Sequence, residues 1–303
     1  MNNSIRHGIL ATVGQTPLVR LDRLLPDAGL TVHAKLERFN PTGSTEDRTA
    51  LDLLLAPIRT GELIPGRPVV LTAGSGNLAI ALAQVCRYYD LDLHLVTDVS
   101  GATAWHLAMV RAYGARVEAV RSEGDQGRLD RLADALAATL PGSYRPPSGH
   151  RDGPAGEVMA EIREQLGAVP DYLFCPASSA LTLHRAVGYL REHRLPTTVV
   201  AVLDQPGAEP AAGLGAADLV ERVDEVDTVT GCRLLLSREG LLAGRSSGSV
   251  VAALARLHGR IAPGAVCVLL LPDGGDRYTE TVYSDAWVRS RAETRSALQE
   301  ATR

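Results

Sequence analysis

The feature that most constrains the fold is a repeated alternation of short apolar strands, glycine-bearing turns and helical segments. An apolar run at 68–72 leads through the turn 74–77 into a helical pattern at 78–89. Such alternation predicts parallel sheets covered by helices on both faces. Ligand sites in these folds lie where the strands end. The informative turns are therefore 40–48, 74–77, 176–182, 243–249 and 272–278.

Composition and charge exclude several classes of protein. With 303 residues, 45% of them hydrophobic and 22% charged, the chain suits one large or two medium globular domains. A net charge of -4 gives no reason to expect nucleic acid or an anionic membrane surface. The sequence has neither an apolar run of transmembrane length nor an apolar signal core near its start, so we expect a cytoplasmic protein.

The four cysteines are far apart and form no Cys-x-x-Cys pair, which predicts buried free thiols rather than a disulfide or a zinc site. The basic residues are more unusual, because Lys35 is the single lysine among 31 lysines and arginines. Any chemistry that needs a lysine amine therefore has one candidate. Lysine is mostly exposed in proteins, so we expect Lys35 to be a structural or surface residue.

Five motifs occur in an order that resembles one family. They are 14–21, 34–37 together with 40–48, 75–77, 239–248 and 271–278. Together they resemble cysteine synthases and cystathionine β-synthases, the fold-type-II pyridoxal phosphate (PLP) enzymes. The resemblance implies an α/β fold of the tryptophan synthase β-like architecture, a homodimer, and PLP in a cleft between two domains. The small domain would span 41–140, and the large domain would combine 1–40 with 141–303.

The cofactor contacts depart from the family's pattern. The family's PLP lysine aligns with Glu46, and a carboxylate cannot form the imine through which PLP acts as an electron sink. The segment 178–182 aligns with the phosphate-binding loop but has lost its three glycines, and the serine that faces the pyridine nitrogen aligns with Gly274. The resemblance therefore implies a divergent member with no cofactor-binding residues. No metal-ligand spacing is present.

Other candidate residues remain for a small ligand. Ser75, Gly76 and Asn77 form a strand-to-helix turn whose free amides favour a carboxylate, although the same residues could simply shape a turn and cap a helix. Thr182 keeps a hydroxyl in the altered phosphate segment, which allows weak anion binding or an ordinary helix cap.

Glu46 and Arg245 admit two interpretations. They could form an ion pair that plugs the space left by the cofactor, or Arg245, with Ser246, could bind a ligand anion while Glu46 acts as a general acid or base. His150 lies in a loop rich in proline and glycine near the expected cleft, and His184 lies at the start of the helix after the altered phosphate segment. A lone histidine is more often structural or solvated than functional.

Three functions follow from these residues. The first is a pseudoenzyme that binds a small amino-acid carboxylate, or pairs with another pathway enzyme as a heteromer. The second is a PLP-independent enzyme that uses Glu46 for elimination, β-replacement or condensation on an amino acid. The third, residual PLP-dependent cysteine-synthase activity, is disfavoured by the altered cofactor contacts.

Overall fold

The computed structural model describes residues 5–99, 103–122, 125–146, 157–178, 180–204 and 217–291. The chain forms two compact units. The first consists of Met1–Val13 and Asn40–Pro154, and the second of Gly14–Phe39 and Ala155–Arg303. The segment 41–140, which the sequence assigns to a small domain, lies within the first unit.

Strands and helices alternate along most of the chain. The strands are β1 (Leu18–Arg20), β2 (Thr31–Leu36), β3 (Pro68–Ala73), β4 (Asp92–Asp98), β5 (Arg116–Val120), β6 (Tyr172–Pro176), β7 (Thr198–Leu203), β8 (Leu219–Arg222) and β9 (Val266–Leu271). The α-helices are α1 (Glu46–Arg59), α2 (Gly76–Tyr88), α3 (Ala104–Ala112), α4 (Gln126–Thr139), α5 (Glu157–Leu166), α6 (Ala180–Glu192), α7 (Glu225–Leu234) and α8 (Arg245–Leu257).

The first unit contains a parallel sheet in the order β3-β4-β5. Successive side chains of a strand point to opposite faces, and β3 shows this directly. Val69 and Leu71 join the apolar core formed with α1 and α2. Val70 instead packs with Leu129 and Ala133 of α4. Both faces of the sheet are therefore covered by helices, as the sequence predicts.

The second unit contains a six-stranded sheet in the order β1-β2-β9-β6-β7-β8. Only the β1–β2 pairing in this sheet is antiparallel. Phe174 faces a core built with α8, whereas its neighbour Leu173 faces a core built with α5 and α6. The prediction of an α/β fold with parallel-rich sheets and helices on both faces is confirmed.

Helices α7 and α8 approach each other closely through two glycines. A Cβ added to Gly231 would lie 2.1 Å from the carbonyl oxygen of Gly248, and one added to Gly248 would lie 2.3 Å from the carbonyl oxygen of Thr228. Only residues without a side chain permit this spacing, because the neighbouring atoms belong to backbone that cannot rotate away.

The cysteines are free and buried, as predicted. Burial raises the pKa of Cys86 and Cys232 to about 12, so these thiols stay protonated and unreactive at neutral pH. No group of histidine, cysteine or acidic residues suited to a metal ion occurs within the ranges that the structure describes. Among the helices of those ranges, none is both long and apolar enough to cross a bilayer.

Candidate functional site

The turn before α1 is closed by a buried carboxylate. Asp47 accepts hydrogen bonds from the Thr42 N–H at 3.1 Å, the Thr42 hydroxyl at 2.7 Å and the Ser44 N–H at 3.4 Å. Gly43 has a φ of 89°, which provides the positive φ expected there. The sequence identified this turn, but it did not identify Asp47 as the residue that holds it together.

Glu46 is the first residue of α1 and is half-buried. Its N–H donates to the Ser44 hydroxyl at 3.3 Å. Thr45 occupies the capping position, but its side chain makes no capping hydrogen bond. A negative side chain is favourable at this end of a helix, because the helix dipole is positive there. The structure thus places Glu46 at the start of the helix, while its part in an ion pair or in acid–base chemistry stays a prediction.

The predicted strand-to-helix turn at Ser75 lies between β3 and α2. The Ser75 hydroxyl accepts a hydrogen bond from the Leu78 N–H at 3.3 Å, so it caps α2. A Cβ added to Gly76 would lie 2.3 Å from the imidazole ring of His106, so a larger residue would displace that ring. The structure thus shows the capping role of Ser75, while carboxylate binding by Ser75, Gly76 and Asn77 stays a prediction.

His106 is a buried residue beside this turn that the sequence analysis missed. Its Nδ1 lies 2.7 Å from the Thr103 hydroxyl and accepts the Thr103 N–H at 3.2 Å, which closes a capping box at the start of α3. Because Nδ1 accepts that N–H, the neutral ring carries its proton on Nε2. The Thr-x-x-His spacing is the one signal in the sequence that could have predicted this capping box. The contact between His106 and Gly76 has no such signal.

Lys35, the chain's single lysine, is fully buried in β2 with 0% of its surface exposed. Its ammonium donates to the Thr16 carbonyl at 2.8 Å, Glu161 Oε2 at 2.6 Å and Gln165 Oε1 at 2.9 Å. An ammonium has three donors, and these acceptors match all of them. The structural role expected of Lys35 is confirmed. The alternative of a surface lysine is wrong, because no part of Lys35 is exposed. Its charge can be buried because Glu161 compensates it.

Arg245 begins α8 and binds a carboxylate that the sequence analysis did not identify. Its Nη1 lies 3.1 Å from Asp204 Oδ2, and its Nη2 donates to the Asp204 carbonyl at 3.2 Å. The Ser246 hydroxyl donates to the same Oδ2 at 3.3 Å and lies 3.1 Å from the Ser178 hydroxyl. We call these four residues the Asp204 network. The pairing of Arg245 with Glu46 stays a prediction.

The Asp204 network lies where two neighbouring parallel strands end. Ser178 follows β6 and Asp204 follows β7. Thr182 is half-buried in the first turn of α6, and His184 is exposed on the same helix. His150 lies outside the residues that the structure describes. The segment that resembles the phosphate loop is therefore linked through hydroxyls to a buried carboxylate.

Gly274 faces occupied space. A Cβ added there would lie 2.5 Å from Asp276 Oδ1 and 3.3 Å from Cζ of Arg38. Arg38 is held in turn by a hydrogen bond from its Nη1 to the Leu242 carbonyl at 2.7 Å. A serine at this position would require the Asp276 side chain to move, so the structure does not accommodate the family's residue without rearrangement.

A second buried carboxylate packs against the residue that precedes α8. A Cβ on Gly244 would lie 1.7 Å from Asp273 Oδ1, so the absence of a side chain there is essential. Tyr278 donates its hydroxyl to Asp273 Oδ2 at 2.8 Å. Burial, followed by the Asp273 charge, raises the pKa of Tyr278 well above its ordinary value, so the phenol stays a donor.

Two α/β units with mainly parallel sheets, and with candidate ligand residues at strand ends, define a protein of fold type II. The chain belongs to the family described as pyridoxal-phosphate dependent enzyme, whose model matches residues 9–218. The predicted fold-type-II architecture is confirmed by this match and by the structural similarity described next.

Two enzymes illustrate the relationship. The chain is 36% identical to N-(2-amino-2-carboxyethyl)-L-glutamate synthase of Ralstonia nicotianae over 321 residues, which covers 96% of this chain and 94% of the relative. The crystal structure of O-ureido-L-serine synthase superimposes with a TM-score of 0.82 at 29% identity, covering 94% of this chain and 100% of the other. A lysine-to-alanine mutant of that synthase with O-ureido-L-serine bound has the same TM-score of 0.82 and 29% identity, covering 95% of this chain and 99% of the other.

Proposed function

We propose that this chain is a pseudoenzyme of the family, which binds a small amino acid without a PLP imine and has Glu46 in place of the cofactor lysine. The observation that carries this proposal is the state of Lys35, the single lysine, whose three donors are bound inside the second unit. Freeing its amine would break a buried ion pair, and such a change costs roughly 3–5 kcal/mol. No other side chain in the sequence carries an amine.

The residues at the phosphate and pyridine contacts do not fit PLP either. Gly274 offers no hydroxyl to a pyridine nitrogen. The Ser178 hydroxyl is engaged with Ser246, and the glycines that let a backbone approach a phosphate are missing from 178–182. We therefore derive no chemical step through PLP.

The names of the two relatives suggest the class of ligand. N-(2-amino-2-carboxyethyl)-L-glutamate and O-ureido-L-serine both contain a 2-amino-2-carboxyethyl group, which is an alanine unit substituted at Cβ. We propose a Cβ-substituted L-amino acid as the ligand, with its α-carboxylate at Ser75, Gly76 and Asn77. The positive end of α2 supports an anion there. The ligand-bound lysine-to-alanine mutant of a relative supports binding without one lysine.

A second candidate, a PLP-independent enzyme, is favoured by the geometry of Glu46. Glu46 is half-buried at the start of α1, directly after the closed turn, and a carboxylate there suits a general acid or base for elimination, β-replacement or condensation. A homodimer, and a heteromer with an active enzyme, are further parts of the proposal, and the measured mass of the purified protein would distinguish them from a monomer.

Calorimetry and cofactor trapping test the proposal together. We expect O-ureido-L-serine or N-(2-amino-2-carboxyethyl)-L-glutamate to bind the purified protein and the D-enantiomer of the same compound to bind more weakly. After incubation with PLP and borohydride, mass spectrometry should find no pyridoxyl group on Lys35 of the folded protein. A pyridoxyl-Lys35 peptide from folded protein, or turnover of an activated serine derivative without added PLP, would overturn the pseudoenzyme.

Three variants separate binding from catalysis. Ser75→Ala should weaken amino-acid binding, whereas Asp125→Ala should not, although each removes a helix cap from the first unit. Comparing the two corrects for the cost of a lost cap, which is typically about 1 kcal/mol. If turnover is found, Glu46→Gln should lower it by about 10²–10⁴-fold, and an unchanged rate would exclude Glu46 as the acid or base.

A further inference from the structure

We propose that Asp204 is a built-in substitute for a phosphate group, so that the Asp204 network excludes phosphorylated ligands from this part of the second unit. The inference rests on the proposed function and deepens it, because it predicts that the ligand carries no phosphate here. Three features of Asp204 support it: the contacts of its carboxylate, its burial, and its place directly after β7.

The contacts are those that an anion would make. Oδ2 of Asp204 accepts a hydrogen bond from Arg245 Nη1 at 3.1 Å and another from the Ser246 hydroxyl at 3.3 Å. Ser178, in the segment that resembles the phosphate loop, reaches the same carboxylate through Ser246. Cationic and hydroxyl donors of this kind bind phosphate oxygens in many proteins, and here a carboxylate of the chain itself uses them.

The burial of Asp204 keeps its carboxylate beside Arg245 and so hinders the binding of another anion there. Asp204 is only 5% exposed, and the side chain of Arg245 is 24% exposed. A phosphate that approached Arg245 would meet the Asp204 charge at close range, and the two negative charges would repel each other. The cation is therefore already neutralised, and an incoming anion would have to displace a carboxylate attached to the chain.

The position also favours an anion. Arg245 and Ser246 are the first two residues of α8, a helix whose N-cap, Gly244, makes no side-chain capping bond. The amides and the dipole at such an end favour negative charge. Asp204 supplies that charge beside Arg245, and Asp273 lies against Gly244. If Asp204 served only to anchor the helix end, its removal would change stability without creating an anion site.

The test removes the charge but keeps the shape of the side chain. Inorganic phosphate and PLP are titrated calorimetrically into wild type, Asp204→Asn and the control Asp285→Asn, which loses the same charge from a carboxylate that is 70% exposed in the same unit. We expect Asp204→Asn to bind phosphate at least about tenfold more tightly than wild type and the control, since one repulsive charge is removed. Adding Arg245→Gln to Asp204→Asn should abolish the gain.

Two outcomes would overturn the proposal: phosphate binding to wild type as tight as to Asp204→Asn, or no binding to either. If Asp204→Asn does not fold, Asp204→Ser is used in its place, because it keeps a small polar acceptor. Amino-acid binding is measured on the same samples. Its absence from wild type would refute the proposed function alone, because the phosphate comparison does not depend on it.

Discussion

The buried ammonium of Lys35 gives the sharpest test of the structure. We replace Lys35 with methionine, which keeps a long apolar stem but removes the charge. Glu161 would then remain buried without its ammonium partner, and Gln165 and the Thr16 carbonyl would each lose a donor. Breaking a buried ion pair from one side costs about 3–5 kcal/mol, so the free energy of unfolding should fall by that amount.

A matched control comes from β1 of the same unit. Arg20 pairs with Asp22 at 2.7 Å, but the two side chains are 62% and 64% exposed. Exposed pairs contribute at most about 1 kcal/mol, so Arg20→Met should change the free energy of unfolding far less than Lys35→Met. The double variant Lys35→Met with Glu161→Met should be less destabilised than Lys35→Met alone, because no unpaired charge is left in the core.

The assay is equilibrium unfolding in urea followed by circular dichroism, with amine labelling as a second readout. An amine-reactive reagent should modify Lys35 in urea-unfolded protein and not in folded protein, and the Lys35 peptide is identified by mass spectrometry. The reasoning would be refuted if Lys35→Met unfolded within ~1 kcal/mol of wild type, the range of an exposed pair. Equal labelling of Lys35 in the folded and unfolded states would refute it as well.

Three further predictions concern packing, pH and thiols. Gly231→Ala should destabilise the protein by roughly 1–3 kcal/mol, because the added methyl group would meet the backbone of α8. The control Gly188→Ala in α6 should be neutral or stabilising, because a Cβ there meets no atom within 4 Å. Thermal unfolding that found Gly188→Ala the less stable of the two would contradict the close α7–α8 contact. Burial, aided by Arg20, lowers the pKa of His33 below its ordinary 6.5, so this residue's contribution to stability is complete above that pH and is lost as the pH falls below it. His33→Gln should flatten the pH dependence of unfolding in that range, and an unchanged slope would argue against the lowered pKa. A thiol reagent should titrate the four cysteines only after unfolding, and rapid labelling of folded protein would show that they are accessible.

Much of the fold could be predicted because its signals are local. Apolar runs, glycine turns and helix starts each depend on a few neighbouring residues, and their alternation predicts parallel sheets covered by helices. The turn at Gly43 and the cap at Ser75 illustrate this, since a positive φ and a free amide are properties of a short segment. Both were identified from the sequence alone.

The missed contacts join residues that are distant in the sequence. Lys35 is neutralised by Glu161, 126 residues away, and Arg245 by Asp204, 41 residues away. Their meeting depends on which strands pair and on which face of a sheet each side chain lies. No spacing rule within one segment carries that information, so the sequence could not decide whether Lys35 is a structural or a surface residue, nor name its partner.

Gly274 has a consequence for how this lineage can change. Glu46→Lys would restore an amine in a single step, but a serine at 274 would place its Cβ 2.5 Å from Asp276 Oδ1. That oxygen is the end of an exposed side chain, so a rotation of Asp276 would make room for the serine without any second substitution. The amine and the pyridine contact are therefore each one substitution away, whereas the phosphate segment 178–182 would need three glycines at once. The route back to cofactor binding is limited by that segment rather than by Gly274.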